Sequence, residues 1–229
     1  MHKEIHLKQP TVLKDIIIGL SDGITVPFAL TAGISGAGIG NHLIITAGIA
    51  EICAGAIAMG LGGYLAGKTE EEHYYHEMHR EYSEIKTVPE VEKQEVRDAL
   101  AYYGLSKEIQ DKAAEELSKD EKQWVEFMMH NELRLEEPEK GRASASARNI
   151  ALSYIAGGAI PLLGYVFTDT PVTGLRDSVI ITIICLLLFG YFKSKLTGQN
   201  AFTGALKTTA IGIIAASSAF AIAYWFNHN

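Results

Sequence analysis

Cysteine is scarce in this sequence. The 229 residues include two cysteines, Cys53 and Cys185, and both lie within apolar runs. A disulfide framework needs several cysteines that can pair, and a thiolate metal site needs closely spaced ones. The sequence therefore argues against both, and we expect the two cysteines to be small packing residues.

Acidic charge is also scarce outside one segment. Residues 68–148 hold 21 of the 27 acidic residues and 13 of the 20 basic residues, which leaves 6 acidic and 7 basic residues elsewhere. The formal net charge of −7 therefore comes from this insert. A mean hydropathy of +0.10 hides the division, because it averages an acidic segment with strongly apolar ones.

The rest of the chain contains five apolar runs of the length that crosses a bilayer, which takes roughly 20 helical residues. The runs are Asp15–Gly38, His42–Gly67, Asn149–Phe167, Ser178–Phe192 and Thr208–Phe226. The fourth has an uncharged core of only about 15 residues, so it must extend back toward Thr173 or thin the bilayer locally. The pattern predicts an all-α, polytopic membrane protein with five transmembrane helices.

The first run has an alternative interpretation as a cleaved signal peptide. Lys3, Lys8 and Lys14 precede it, and small residues follow, as in secretory signals. However, Asp22 lies near the start of the run, and a second apolar run follows after a very short turn. We therefore favour a helical hairpin.

The distribution of basic residues predicts the orientation. With the N-terminus in the cytoplasm, the outer loops carry only Arg176, and the cytoplasmic segments carry all the other flanking basic residues. These are Lys3, Lys8, Lys14, Lys68, Arg142, Arg148, Lys193, Lys195 and Lys207. The positive-inside rule then gives a cytoplasmic N-terminus and insert, with the tail 227–229 on the far side.

The insert has a helical pattern of its own. The second span runs without a stop signal into a helix-compatible stretch that ends before Pro89. Three further helices are predicted, at Glu90–Tyr103, Ser106–Leu117 and Lys119–Leu135, with Gly104 between the first two. We therefore expect a helical cytoplasmic domain at 68–148, between transmembrane helices 2 and 3. Residues 1–67 hold the N-terminal tail and helices 1–2, and residues 149–229 hold helices 3–5.

Two carboxylates lie where burial is expensive. Asp22 is in the first apolar run and Glu51 is well inside the second, and a carboxylate at membrane depth costs about 2.5–3.5 kcal/mol on insertion scales. Each should face a partner, a water-filled cavity or a cation. Gly23 and Pro27 are expected to break the first helix beside Asp22 and free carbonyl oxygens for a cation. The alternatives are a helix-end position for Asp22 and a protonated, hydrogen-bonded Glu51.

Met59 adds a soft ligand type. It follows Glu51 by eight residues, which is about 12 Å or two helical turns toward the cytoplasm on roughly the same side. A thioether beside carboxylates favours a transition metal over Ca²⁺ or Mg²⁺. The alternative is ordinary core packing.

The insert contains three groups of residues of metal-ligand type at helical spacing. They are His73, Glu77, Glu81 and Glu84; Glu92 and Glu95; and Met128, Met129 and Glu132. Like charges at spacings of three and four residues disfavour an isolated helix, so a cation is expected to neutralise them. The alternative is a solvated acidic face. We expect the insert to bind metal.

Three stretches of the sequence carry a family resemblance. They read SDGITVPFALTAGISGAG, AEICAGAIAMGLGGYLAGKTEEEHY and EFMMHNELRLEEP, in this order. The chain resembles the vacuolar iron transporter family, which includes plant and yeast vacuolar iron/manganese transporters and bacterial relatives. The resemblance extends over essentially the whole chain.

The resemblance implies a homodimeric, proton-coupled exporter of Fe²⁺ from the cytosol, with a pathway between the first spans of the two subunits. The family's pathway residues fall on Asp22, Glu51 and Met59. Its cytoplasmic metal ligands fall on Glu81, Glu84, Glu92, Glu95, Met128, Met129 and Glu132. Here the chain also has extra histidines, His73, His76, His79 and His130. With Glu77, His73 is an additional candidate ligand, and imidazole would also suit Zn²⁺, Co²⁺ or Ni²⁺.

The expected function is export of Fe²⁺, and of Mn²⁺ as a second candidate, by proton antiport, without enzymatic activity. The partners are metal ions, protons, a second subunit and the lipid bilayer; no nucleic acid is expected. The membrane would be the cytoplasmic one in a prokaryote and a vacuolar-type one in a eukaryote.

Three alternatives remain open from the sequence. A channel would carry metal without proton coupling, and a sensor would bind metal without transport, although a sensor has no need of acids inside the bilayer. A membrane-bound di-iron carboxylate oxidase needs a Glu-x-x-His motif on each of two helices. Only Glu70 with His73 has that spacing, since Glu126 is followed by Met129.

Overall fold

A computed structural model describes residues 10–228, and within that range every regular element is helical. The helices are α1 (Pro10–Gly36), α2 (Asn41–Thr87), α3 (Pro89–Tyr102), α4 (Lys107–Leu117), α5 (Glu121–Phe127), α6 (Arg142–Val166), α7 (Pro171–Leu196) and α8 (Ala201–His228). A π-helical turn, Met128–Glu132, directly follows α5. The all-α prediction is therefore confirmed. Lys3 and Lys8, counted above for the orientation, and Asn229, at the end of the tail, lie outside the described residues.

Five of these helices, α1, α2, α6, α7 and α8, are long and apolar enough to cross a membrane. The fourth spanning helix, α7, has 26 residues. It begins at Pro171, well before Ser178, where the apolar run starts. The Thr170 side chain caps it by accepting a hydrogen bond from the Thr173 N–H at 3.3 Å. A helix of this length spans about 39 Å, and it includes the extension back toward Thr173 that the sequence suggests.

The chain divides into two compact units. One combines the chain up to Tyr64 with the chain from Ala143 onward, and we call it the membrane unit. The other, Leu65–Arg142, is called the insert unit. The boundary between the units falls within α2.

Helices α1 and α6 of the membrane unit pack backbone to backbone. A Cβ added at Gly157 would lie 2.9 Å from the Ile24 nitrogen and 3.0 Å from the Leu20 oxygen, and one added at Gly23 would strike the Tyr154 backbone. Small residues permit this approach in a bilayer, where lipid provides no hydrophobic drive between helices. The glycines thus fix α6 beside the segment that holds Asp22.

The expected break at Pro27 is wrong. Helix α1 continues from Pro10 to Gly36 with Pro27 inside it. Proline removes one backbone donor, the one that would bond the Gly23 carbonyl, but the turn beyond it is reinforced by the Thr31 hydroxyl, which donates to the Pro27 carbonyl at 2.9 Å. Close packing on α6 also holds the helix on both sides of Pro27, and transmembrane helices tolerate proline for such reasons.

The insert unit has a small apolar core to which α2, α3, α4, α5 and the π-helical turn contribute. Its buried members are Ile85, Val96, Ala114, Trp124, Val125, Met128 and Met129. Asp120 caps α5 by accepting from the N–H groups of Lys122 and Gln123 at 2.9 and 3.2 Å. Gly104, with φ 77°, makes the turn between α3 and α4 where the sequence predicts a separation.

The predicted last insert helix, Lys119–Leu135, is too long. Helix α5 ends at Phe127, and the backbone then widens, so that the Leu133 N–H bonds the Met128 carbonyl at 3.1 Å. Arg134 adopts a φ of 55°, a left-handed conformation that ends the helical path. The wide turn lies where two successive methionines are both buried, at Met128 and Met129.

Candidate functional site

Three glutamates of the insert unit come together from two helices. Glu81 and Glu84 lie on α2 and Glu92 lies on α3, and one carboxylate oxygen of each falls within 4.8 Å of the others. Glu81 is 1% exposed and Glu92 is 2% exposed, while Glu84 is half-buried. We call these three residues the glutamate triad. Within residues 10–228 it is the one group of three or more His, Cys, Asp or Glu side chains with such a geometry.

Two oxygens of the triad are buried without hydrogen bonds. They are Oε2 of Glu81 and Oε2 of Glu92. A buried carboxylate oxygen without a donor is unfavourable unless a proton or a cation neutralises it. The triad therefore has the donor type and the electrostatic need of a cation site.

The remaining predicted glutamates lie near the triad in different settings. Glu95 and Glu132 line a cleft of about 220 Å³ together with Asp98 and Asn131. Glu77 is buried on α2, and its Oε1 lies 3.8 Å from Nδ1 of His73. Each predicted acidic group, on α2, on α3 and on the π-helical turn, therefore has members in the triad or near it.

The two predicted methionine ligands lie in the apolar core of the insert unit. Met128 is fully buried and Met129 is 3% exposed. Met129 also lines a second cleft of about 270 Å³, with Tyr74, Met78 and Glu126 among the other lining residues. Both methionines have a packing role in this arrangement, and metal ligation by them stays a prediction.

The extra histidines are not members of the triad. His76, His79 and His130 are exposed, and the His79 ring bonds the Tyr75 carbonyl one turn earlier on α2. His73 is exposed beside Glu77. The close ligand group is therefore made of carboxylate oxygens, with no imidazole among its three members.

Protons compete for these carboxylates. Burial, followed by the negative charges of Glu95 and Glu81, raises the pKa of Glu92 from 4.5 to about 8. Loss of solvation around the Glu132 carboxylate and the charges of the same two neighbours raise its pKa to about 7, although the residue as a whole is exposed. Near neutral pH, the cluster is therefore poised between protonated and ionised forms.

In the membrane unit, Glu51 is hydrogen-bonded to a tyrosine of another helix. The Tyr154 hydroxyl on α6 donates to Oε1 of Glu51 on α2. Gly55, one turn further along α2, leaves room for this ring, because a Cβ there would strike the Tyr154 hydroxyl. The other oxygen of Glu51 is buried without a hydrogen bond.

Asp22 and Met59 take different positions relative to this pair. Asp22 on α1 is half-buried and precedes Gly23, which packs against the backbone of Tyr154. Met59 is half-buried further along α2, at its expected distance of two turns from Glu51.

Known proteins match this chain over nearly its full length. A sequence profile of the VIT family matches residues 13–224. The chain is 49% identical over 222 residues to "Vacuolar iron transporter 2" of Oryza sativa subsp. japonica, covering 97% of this chain and 90% of the rice protein. It is 47% identical over 227 residues to "Vacuolar iron transporter 1" of Arabidopsis thaliana, covering 99% and 91%. The chain belongs to the VIT family.

A more distant VIT relative extends the match to fungi. "Protein CCC1" of Saccharomyces cerevisiae is 38% identical over 220 residues, which cover 95% of this chain and 68% of the yeast protein. The family resemblance read from the sequence is thereby confirmed. The quoted plant relatives are named as transporters, in agreement with the expectation that the chain is not an enzyme. Five apolar helices and the family together make it a multi-pass membrane protein.

Two residues at the candidate sites of this VIT protein were not identified from the sequence. Tyr154 carries no sequence signal that pairs it with Glu51, because the two are 103 positions apart on different helices. Arg80 is different, since its spacing from Glu77 and Glu84 on α2 places all three on adjacent turns. That signal was available from the sequence.

We predict that the Tyr154 hydroxyl and Glu51 stabilise the membrane unit as a pair. Tyr154→Phe should lower the thermal unfolding midpoint of the purified protein, because a buried acceptor that loses its donor costs about 1–3 kcal/mol. In a protein that already carries Glu51→Leu, the same change should cost much less. Tyr64→Phe, at an exposed position of α2, is the control. Strictly additive effects of the two changes would show that the pair is not coupled.

We predict that Glu92 makes the chelator-treated protein less stable as the pH rises. Between about pH 4.5 and 8 the folded protein holds a proton on Glu92 that the unfolded chain releases, so the free energy of unfolding falls progressively across this range and levels off above about pH 8. Glu92→Gln mimics the protonated form and should flatten the decline in unfolding midpoint. Glu90→Gln, on the exposed side of α3, should leave it unchanged. Equal pH profiles for wild type and Glu92→Gln would contradict the raised pKa.

Proposed function

We propose that this protein transports Fe²⁺ out of the cytosol, in exchange for protons, as a homodimer with a pathway between the α1 helices of its two subunits. The observation that carries the proposal is the buried glutamate triad, Glu81, Glu84 and Glu92, in a chain whose relatives are named vacuolar iron transporters. In a eukaryote the membrane would be vacuolar in type, and in a prokaryote it would be the cytoplasmic membrane.

The insert unit acts in this proposal as the collector of metal. The bias of basic residues toward one side supports a cytoplasmic insert, so the metal would be captured from the cytosol. Proton and metal compete for the same carboxylates, since a raised pKa means that Glu92 must release its proton before it can bind a cation. Glu95, Glu132 and Glu77 extend the acidic surface around the triad.

Carboxylate chemistry is compatible with Mn²⁺ and Fe²⁺ as cargo. Oxygen ligands suit Mn²⁺, and glutamate-rich sites in helical bundles also hold iron. The exposed histidines are not part of the triad, so they give little support to a preference for Zn²⁺, Co²⁺ or Ni²⁺. Fe²⁺ is favoured over Mn²⁺ by the names of the relatives.

Asp22, Glu51 and Met59 form the proposed pathway through the membrane unit. Two carboxylates can exchange a cation for protons, because each site that binds a cation when ionised releases it when protonated. The Tyr154 hydroxyl supplies a donor that steadies Glu51 when no cation is bound. Met59 supplies a thioether that favours a transition metal over Ca²⁺ or Mg²⁺.

We predict that proteoliposomes containing the protein take up Fe²⁺ when their lumen is acidic. A metal-sensitive dye trapped inside, with Fe²⁺ kept reduced outside, measures the flux through molecules whose insert unit faces outward. Dissipating the pH gradient should reduce the initial rate, because proton efflux drives metal influx. Asp22→Ala should abolish uptake, whereas Asp169→Ala, at an exposed residue that follows α6, should not.

Each alternative function has a distinct outcome in this assay. Uptake that does not respond to the pH gradient would identify a channel, and uptake that survives Asp22→Ala would exclude the proposed pathway. Metal binding without flux would fit a sensor. Oxygen consumption on addition of Fe²⁺ would identify an oxidase of the di-iron carboxylate class.

A further inference from the structure

Arg80 of α2 lies among the carboxylates of the proposed metal site. Its guanidinium contacts three glutamates of the same helix: Oε2 of Glu77 at 2.7 Å, Oε2 of Glu84 at 3.2 Å and Oε1 of Glu81 at 3.5 Å. The guanidinium has a planar fork of donors that can serve several carboxylate oxygens at once. Arg80 therefore supplies positive charge where the acidic residues are most crowded.

Two of these three partners also belong to the glutamate triad. Glu84 bonds Nε of Arg80 and also lies within the 4.8 Å group with Glu81 and Glu92. Glu81 faces Arg80 with one oxygen, and its other oxygen is buried without a hydrogen bond. A divalent cation held by the triad would thus share its ligands with the guanidinium.

The two cations cannot both neutralise these carboxylates at full strength. A guanidinium and a divalent ion a few ångströms apart repel each other, and the repulsion is strongest where protein has replaced water. Glu81 is nearly fully buried, so its charge needs compensation whether or not metal is bound. The site thus has two ways to balance its charge, and they compete with each other.

We propose that Arg80 is a tethered counter-ion that neutralises Glu81 and Glu84 in the metal-free protein and competes with the incoming divalent metal. This inference rests on the proposed metal site and adds to it a residue that sets metal affinity. Arg80 is not a ligand in this proposal; it acts through the carboxylates that it contacts.

The surroundings of Arg80 allow its guanidinium to leave Glu81 and Glu84 when a metal binds. Its own side chain is 45% exposed, whereas those of Glu77 and Glu81 are 11% and 2% exposed. Glu77 makes the shortest of the three contacts and lies outside the triad. Arg80 can therefore keep its ion pair with Glu77 while it releases Glu81 and Glu84, and it can return when the metal leaves.

The consequence for a transporter is moderate affinity at the collecting site. A cluster of buried glutamates without a counter-ion would hold a divalent cation tightly and release it slowly. The Arg80 guanidinium lowers the affinity for the metal. It also neutralises the carboxylates of Glu81 and Glu84 as the metal dissociates. Arg80 thus returns the triad to its metal-free, neutralised state when the metal dissociates.

The test is a Mn²⁺ titration of the full-length protein in detergent after treatment with a chelator. Free Mn²⁺ is followed by its electron paramagnetic resonance signal, which disappears on binding. Arg80→Gln should bind Mn²⁺ roughly tenfold more tightly than wild type, within the usual range for coupled sites. Arg80→Lys keeps the charge and should remain close to wild type.

Arg97→Gln is the matched control. It removes the same charge from the insert unit, but Arg97 pairs with Asp111, a residue of α4 outside the triad, at 2.8 Å. The affinity of the Arg97→Gln protein for Mn²⁺ should equal that of wild type. A second measurement is the rise in thermal unfolding midpoint caused by saturating Mn²⁺, which should be larger in Arg80→Gln than in the other proteins. A purely structural role for Arg80 would not enlarge it.

The outcomes separate this inference from the metal site on which it rests. If wild type binds Mn²⁺ and Glu92→Gln weakens binding, the site stands. Equal affinity in wild type and Arg80→Gln would then overturn the role of Arg80 alone, and so would weaker binding by a folded Arg80→Gln protein. Tighter binding in both Arg80→Gln and Arg97→Gln would indicate only a general effect of charge. No saturable Mn²⁺ binding by wild type would overturn the site and the inference together.

Discussion

Repulsion among buried carboxylates is the constraint on which the insert unit depends. Glu81 and Glu92 are almost completely removed from water, and Glu84 lies beside them. Three ionised carboxylates in such a place are unstable, so the protein must supply protons, a cationic side chain or a metal ion. The raised pKa of Glu92 and the contacts of Arg80 are two of these solutions, and the proposed Fe²⁺ is the third.

The membrane unit meets the same constraint with different means. Glu51 is supported by the Tyr154 hydroxyl, and the ring reaches it because Gly55 has no side chain. Glycines 23 and 157 bring α1 and α6 into backbone contact, which places Asp22 near the same tyrosine. Helix packing through small residues thus does more than hold the bundle together. It positions Glu51 to accept from the Tyr154 hydroxyl and brings the segment that holds Asp22 against the same helix.

The sequence predicted the features that depend on the local spacing of residues along one helix. Apolar length identified the five spanning helices, and spacings of three and four residues identified the glutamates of α2 and α3 as ligand candidates. Contacts between distant segments could not be predicted from local spacing. The sequence carries no signal that pairs Tyr154 with Glu51. It also does not show that Glu81, Glu84 and Glu92 are the three glutamates that lie closest together. Pro27 was misread because its effect on α1 is offset by packing on another helix.

We propose that the glutamate triad binds the transported metal. The most direct measurement is the anomalous scattering of Mn²⁺ in crystals of the full-length protein, recorded at the manganese absorption edge. We expect a peak within about 2.0–2.5 Å of carboxylate oxygens from Glu81, Glu84 and Glu92, the range of metal–oxygen bonds in proteins. Saturated protein with peaks only at other residues would contradict it.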